Sequence, residues 1–365
     1  MSLAFEVSSC VRATSKLSEC TKCVDICPVN TIEIVDNIPS FIPSACVDCG
    51  GCSGVCPTES FSLTNFSTVD FFFELLEDKD KLISCKKNVP CLASLSVEHL
   101  ISLALASEDS ISLDMGHCTQ CEIREPLQAQ IEANIEEANF ILSSFSDKKL
   151  LPLDIAYGVE PIEIPDEVSS RRDFFSLKGA VKQKDSFDKA IIEDELKLFN
   201  IDNNIINKIK DKNIPNKRKI FLTTLKQVTK PDKYEVLPEE DVSFVSQKFV
   251  DESCTNCQIC YRICPTGALS SDGKFSVINF NSMLCVKCHL CHDVCEPDSI
   301  KLQSGFEIKE FFEPTQRTLA SFNIKRCNEC GGHFTYQGGE QMCLRCKVEE
   351  DEALTLHQNE KEMEF

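Results

Sequence analysis

The 365-residue sequence holds no apolar run long enough to cross a bilayer, no G-x-G-x-x-G after a strand-like segment, and no P-loop. The first absence argues against membrane insertion. The others leave no nicotinamide, flavin or nucleotide site to be expected. Met1 to Ser9 lacks a charged segment followed by an apolar stretch, so no secretory leader is expected. Ser170-Arg171-Arg172-Asp173-Phe174-Phe175 has the outline of a twin-arginine export motif. It is internal, however, and the lysine-bearing segment after it has no apolar core, so it reads as a helix start. Positive charge is scarce too: 38 Lys and Arg stand against 58 Asp and Glu, a net charge of −20. That balance disfavours nucleic acid as a partner and suits docking onto basic protein surfaces. The basic stretch Lys208, Lys210, Lys212, Lys217, Arg218, Lys219 reads as a solvated helix face, and the acidic end as a frayed tail.

Cysteine is what the chain has in excess. All 24 fall into six groups of four at metal-binding spacing. Without an export signal, a reducing cytoplasm is the expected compartment, where such density points to metal and not to disulfides. The first block reads Cys20-x2-Cys23-x3-Cys27-Pro28 and Cys46-x2-Cys49-x2-Cys52-x3-Cys56-Pro57, with Cys10 to complete its first half. A second block reads Cys254-x2-Cys257-x2-Cys260-x3-Cys264-Pro265 and Cys285-x2-Cys288-x2-Cys291-x3-Cys295. A 4Fe-4S cubane needs one thiolate per iron, and a tight loop can cap only three corners. In the C-x2-C-x2-C-x3-C-P run the last cysteine serves the other cluster of a pair. One set would then be Cys46, Cys49, Cys52 and Cys27, and its neighbour Cys10, Cys20, Cys23 and Cys56. The second block gives Cys254, Cys257, Cys260 with Cys295, and Cys285, Cys288, Cys291 with Cys264. The alternative for Cys10 is a free thiol beside a three-iron or otherwise ligated cluster. His289 and His292, inside the last loop, read as surface or hydrogen-bonding residues.

These residues resemble the bacterial two-cluster ferredoxin family, and the repeated block makes the chain look like a polyferredoxin. The resemblance covers roughly 120 residues. Two departures stand out: nine residues separate Cys10 from Cys20, and the last proline is displaced to Pro297. The resemblance implies a protein that relays single electrons to or from a partner oxidoreductase, possible partners being a formate dehydrogenase or a hydrogenase. The competing reading is an oxidoreductase subunit with its own redox site at the central cysteines.

Those central four are Cys85, Cys91, Cys118 and Cys121. Around them Thr68 to Asp78 predicts a helix, Leu82 to Cys85 a strand, and Ser96 a helix N-cap with Leu95 and Leu100 as its staple. Ile111 to Met115 predicts a second strand, and Pro126 opens another helix. In such a β-α-β-α unit the loops at the carboxyl ends of the strands gather ligands. The segment resembles the 2Fe-2S small subunit of methyl-viologen-type hydrogenases. A 2Fe-2S cluster, zinc, and a redox disulfide or unligated thiols all remain open. Last, Cys327-x2-Cys330 and Cys343-x2-Cys346 form two knuckles suited to tetrahedral Zn²⁺, with a rubredoxin-like single iron as the alternative.

The expected class is α+β. Two-cluster modules at 1–65 and 246–310 flank an α/β unit at 66–160, with a helical connector at 161–245, a zinc-ribbon-like module at 311–350 and an acidic tail at 351–365.

Overall fold

The computed structural model describes residues 3–158 and 212–363. The Arg171-Arg172 segment and most of the expected connector lie outside them.

In the first block the strands are β1 (Leu3–Phe5), β2 (Ile32–Val35), β3 (Ile38–Phe41) and β4 (Phe61–Leu63). β1 pairs antiparallel with β4, and β2 with β3. The β2–β3 turn is Asp36-Asn37, both with positive φ (48° and 67°). Asp and Asn tolerate that backbone, which is why they close two-residue hairpins. Short helices α1 (Val11–Thr14), α2 (Lys22–Asp25) and α3 (Gly51–Val55) carry or flank the cysteines.

The central unit follows: α4 (Thr68–Glu77), β5 (Leu82–Ile83), α5 (Val97–Ala106), β6 (Ile111–Asp114), α6 (Arg124–Ser143) and β7 (Leu150–Leu153). Its sheet is parallel in the order β5-β6-β7. Ser96 caps α5 as expected, but the residue completing the capping box is His99. β7 is an addition to the expected β-α-β-α unit. Its sequence LLPL contains Pro152, which reads against a strand in isolation and is tolerated because β7 lies at the sheet edge.

Beyond residue 211 come α7 (Asn216–Leu225), β8 (Val236–Pro238), β9 (Lys248–Val250), α8 (Ile259–Ile263), β10 (Leu269–Ser270) and β11 (Val277–Asn281). Then follow α9 (Leu290–Asp293), β12 (Ile300–Leu302), β13 (Gly305–Glu307), α10 (Lys309–Phe312) and β14 (Gln316–Ser321). The second block repeats the plan of the first: β9 pairs with β12 as β1 does with β4, and β10 with β11 as β2 does with β3. In all four half-motifs the fifth residue after the last cysteine opens a strand: Ile32, Phe61, Leu269 and Ile300. The displaced Pro297 leaves that spacing intact. β14 extends the β10-β11 sheet and β8 pairs with β13.

The C-terminal hairpin is β15 (Ile324–Arg326) with β16 (His333–Thr335), followed by α11 (Leu344–Met363). The acidic end expected to fray is helical through Met363, consistent with a composition of helix-favouring Glu, Leu and Lys and an Arg345–Glu349 pair at i,i+4 spacing.

A single apolar core runs from the first block through the central unit into α7 and the start of α10. Its far end is aromatic, with Phe221, Phe244 and Phe311 in mutual ring contact and Phe306 against Phe311. Burial of each such ring stabilises the join by about 1.5–3 kcal/mol.

Candidate metal centres

The duplicated plan explains Cys10. It lies shortly after β1, as Cys254 lies shortly after β9, so both stand at the head of their blocks. Helix α1 fills the long interval before Cys20, and Arg12 on that helix donates to the Cys20 carbonyl at 2.9 Å, folding the insertion back. Cys10, Cys20, Cys23 and Cys56 are electrostatic neighbours of one another. So are Cys27, Cys46, Cys49 and Cys52. In the second block Cys288 neighbours Cys264, Cys285 and Cys291, and Cys260 neighbours Cys254 and Cys257. Cys295 sits at the end of its loop, bonded to Ser299.

The donor chemistry suits clusters. Burial pushes the thiols of Cys23, Cys260 and Cys291 up to about 12, and Cys288 well above its ordinary value. Neighbouring sulfurs push Cys23, Cys260 and Cys288 further in the same direction. Thiolates packed this way coexist only with compensating cations, which metal supplies. Backbone N–H groups are already aimed at sulfur: Thr31 N donates to Cys27 Sγ (3.4 Å), Ser60 N to Cys56 Sγ (3.2 Å) and Ser299 N to Cys295 Sγ (3.2 Å). Thr58 and Thr266 set hydroxyls 3.8 Å from Cys56 and Cys264, a Cys-Pro-Thr repeat that is visible in the sequence. Such bonds to sulfur are a main determinant of cluster potential.

His289 and His292 are partly buried, and burial followed by the charge of Lys248 holds both down to about 4. His292 meets the Lys248 ammonium at 2.7 Å, the hydrogen-bonding role expected of it.

All four central thiols lie in the two loops that follow β5 and β6. Cys85 follows β5, Cys91 precedes the 3₁₀ turn Leu92–Ser94, and Cys118 opens another turn that ends at exposed Cys121. Cys91 neighbours Cys118 and Cys85, and Cys118 neighbours Cys85 and Cys121. Burial raises Cys91 to about 12 and Cys118 to about 11. Asp114, at the end of β6, locks the loops around them. Its buried carboxylate accepts from Ser84 Oγ (2.7 Å), Gly116 N (3.0 Å), Ala156 N (2.9 Å) and Tyr157 N (3.0 Å). Burial alone would raise its pKa, but these bonds hold it below the usual range.

This loop cluster abuts the first block. Cys91 is an electrostatic neighbour of Cys49, and α3 lies so close to the Cys91–Ser94 turn that a Cβ on Gly54 would come within 2.1 Å of the Ala93 oxygen. The two blocks also touch each other. Val11 of the first packs with Leu290 and Val294 of the second, and Cys20 and Cys288 both lie against that seam. Across it Glu19 N donates to Asp293 Oδ2 at 3.1 Å.

Among the described residues, Cys327, Cys330, Cys343 and Cys346 are the set whose four ligand atoms all lie within 4.8 Å of one another, tight enough for one ion. Backbone N–H groups of Cys330 and Cys343 pull the Cys327 thiol down to about 6.

Two residues of the basic stretch depart from the solvated face expected of it, while Lys208 and Lys210 lie outside the described residues. Lys217 and Arg218 are 3% and 0% exposed, not solvated. Lys217 donates to the Cys56 carbonyl, and Arg218 to the carbonyl of Cys285. A crevice of about 510 Å³ opens beside Lys217, bordered by Lys22, Ser96, Asn134 and Val286.

Residues 18–60 and 253–299 each match the 4Fe-4S dicluster domain, the same two segments whose strands and cysteines repeat in space. A protein described as "Ferredoxin 7Fe" from Hydrogenibacillus schlegelii is 29% identical over 58 residues, which is 16% of this chain and 74% of that protein. No helix among the described residues is long and apolar enough to cross a membrane. The chain therefore carries the ferredoxin-type 4Fe-4S dicluster domain twice, in one polypeptide with further cysteine sites.

Proposed function

We propose that this is a multi-cluster electron-transfer protein that relays single electrons to or from a partner oxidoreductase, with formate dehydrogenase and hydrogenase as the partner classes to try first. The observation that carries the proposal is the contact order of the cysteine sets. The central set meets the Cys27/46/49/52 set through Cys91 and Cys49, and the Cys10/20/23/56 set meets the second block at the Cys20–Cys288 seam. A line of centres from the edge of the central unit to the far half of the second block follows.

In this reading the crossed sets hold four 4Fe-4S clusters, Cys85, Cys91, Cys118 and Cys121 hold a 2Fe-2S cluster, and the C-terminal four hold Zn²⁺. The buried thiols and aimed N–H groups fit that loading. The Hydrogenibacillus relative is named for seven irons, so whether Cys10 completes a fourth cubane has to be measured. Anaerobic reconstitution with iron and acid-labile sulfide analysis tests it: four cubanes require roughly sixteen irons per chain. Iron near two cubanes or fewer would refute the count, and stoichiometric flavin with direct reduction by NADH would favour the enzyme reading.

A further inference from the structure

Helix α7 lies between the two blocks, and its two buried cations point opposite ways. Glu59 of the first block accepts from Asn216 N (2.5 Å) and Lys217 N (3.1 Å), fixing the helix start against that block. Lys217 then turns its ammonium onto the Cys56 carbonyl at 2.5 Å. Arg218 reaches the other block, donating to the carbonyls of Met283 (2.6 Å), Cys285 (2.7 Å) and Phe244 (2.7 Å), and pairs with Glu98 of α5. Cys56 and Cys285 belong to the two inner sets, the pair that faces across the Cys20–Cys288 seam. Lys22 neighbours Cys288, and Lys248 neighbours Cys291. At the outer Cys27/46/49/52 set the nearby charge has the opposite sign: Asp48 Oδ1 lies 3.6 Å from Cys46 Sγ.

We propose that Lys217 and Arg218 are potential-setting residues, which make the two inner centres easier to reduce than the outer ones and so collect electrons at the junction of the blocks. The proposal rests on the four-cubane reading above. Taking up one electron, with an external one-electron donor oxidised by one, adds one negative charge beside these cations. Glu59 and Glu98 offset part of the field, as does Asp293 where it accepts from Glu19 N at the seam. Glu59 and Glu98 bond to the helix backbone and to the guanidinium, however, while the cationic ends face the cysteines. Low dielectric around the buried pair keeps the difference from being screened.

The test is a reductive titration of the full chain after anaerobic reconstitution, followed by electron paramagnetic resonance, with iron and sulfide counted for each variant. Lys217→Gln keeps a donor to the Cys56 carbonyl and removes the charge. It should weaken the highest-potential couple about tenfold, or about 59 mV for one electron, and Lys217→Arg should restore it. Asp48→Asn, at a positive-φ position that Asn tolerates, should raise one of the lower couples and leave the highest in place. It keeps the asymmetry testable should the Lys217 variant load poorly. A highest couple unmoved in fully loaded Lys217→Gln, equal losses in the Gln and Arg variants, or a highest couple displaced by Asp48→Asn would each overturn the proposal. Wild-type protein without 4Fe-4S signals would instead refute the reading beneath it.

Discussion

His99 is buried and neutral in the folded chain. Its Nδ1 faces Ser96 N at 3.2 Å and Ser96 Oγ at 3.1 Å, while Nε2 has no hydrogen-bond partner among the described residues. Burial, with Lys217 adding to it, pushes its pKa down to about 3. The unfolded chain takes up a proton near the ordinary value of about 6.5 that the folded chain refuses, so stability falls as pH drops from there toward 3. The slope approaches about 1.4 kcal/mol per pH unit from this residue. His99→Gln, which cannot charge, should lack it. Urea unfolding at pH 7 and 5.5 should show the wild-type chain losing about 1 kcal/mol more than the variant; a pH-independent difference would contradict the assignment. The Arg218–Glu98 pair is also fully buried. Removing one partner leaves the other charge alone in the core, so Glu98→Gln should cost about 3–5 kcal/mol in the same unfolding measurement.

At the scale of elements, the seat of α3 on the Leu92–Ser94 turn depends on glycine. The atom that a Gly54 Cβ would strike is backbone oxygen, which cannot swing aside as a flexible side chain can. Gly54→Ala should therefore cost about 1–3 kcal/mol and loosen Cys91 from Cys49. If Cys85, Cys91, Cys118 and Cys121 hold the proposed 2Fe-2S cluster, its signal should change while the second block's signals persist. Unaltered stability would show that the two elements part more easily than their packing implies. Local features of this kind were legible beforehand. The Ser96 cap and the strands beginning at Leu82 and Ile111 follow from short-range chemistry. What escaped was long-range. β7 hides behind Pro152 because edge position decides whether proline is tolerated. Lys217 and Arg218 look like solvated charges because their partners Cys56, Glu98 and Cys285 lie 161, 120 and 67 residues away. Spacing could name the cysteine sets, but not which set would face which.

For the molecule as a whole, position in the chain and position in space differ. Blocks that begin more than two hundred residues apart share the Val11–Leu290 seam, and the central cysteines neighbour the first block through Cys91 and Cys49. The C-terminal hairpin stands outside this line. It draws its four thiols from its own two knuckles, and β14, which ends at Ser321, already completes the second block's sheet. A chain ending at Ser321 should keep that sheet and lose little beyond a few contacts such as Asn256 Nδ2 to Thr335 Oγ1 at 3.0 Å. Four thiolates held this closely favour one tetrahedral ion, and zinc there would be redox-silent. Metal analysis of the truncated chain should show about one zinc fewer, with the 4Fe-4S signals and their potentials unchanged. Loss of a mononuclear iron signal would make the site rubredoxin-like and extend the redox chain to the C-terminus. Unchanged zinc would mean that the ion resides elsewhere, with Cys85, Cys91, Cys118 and Cys121 the next place to look.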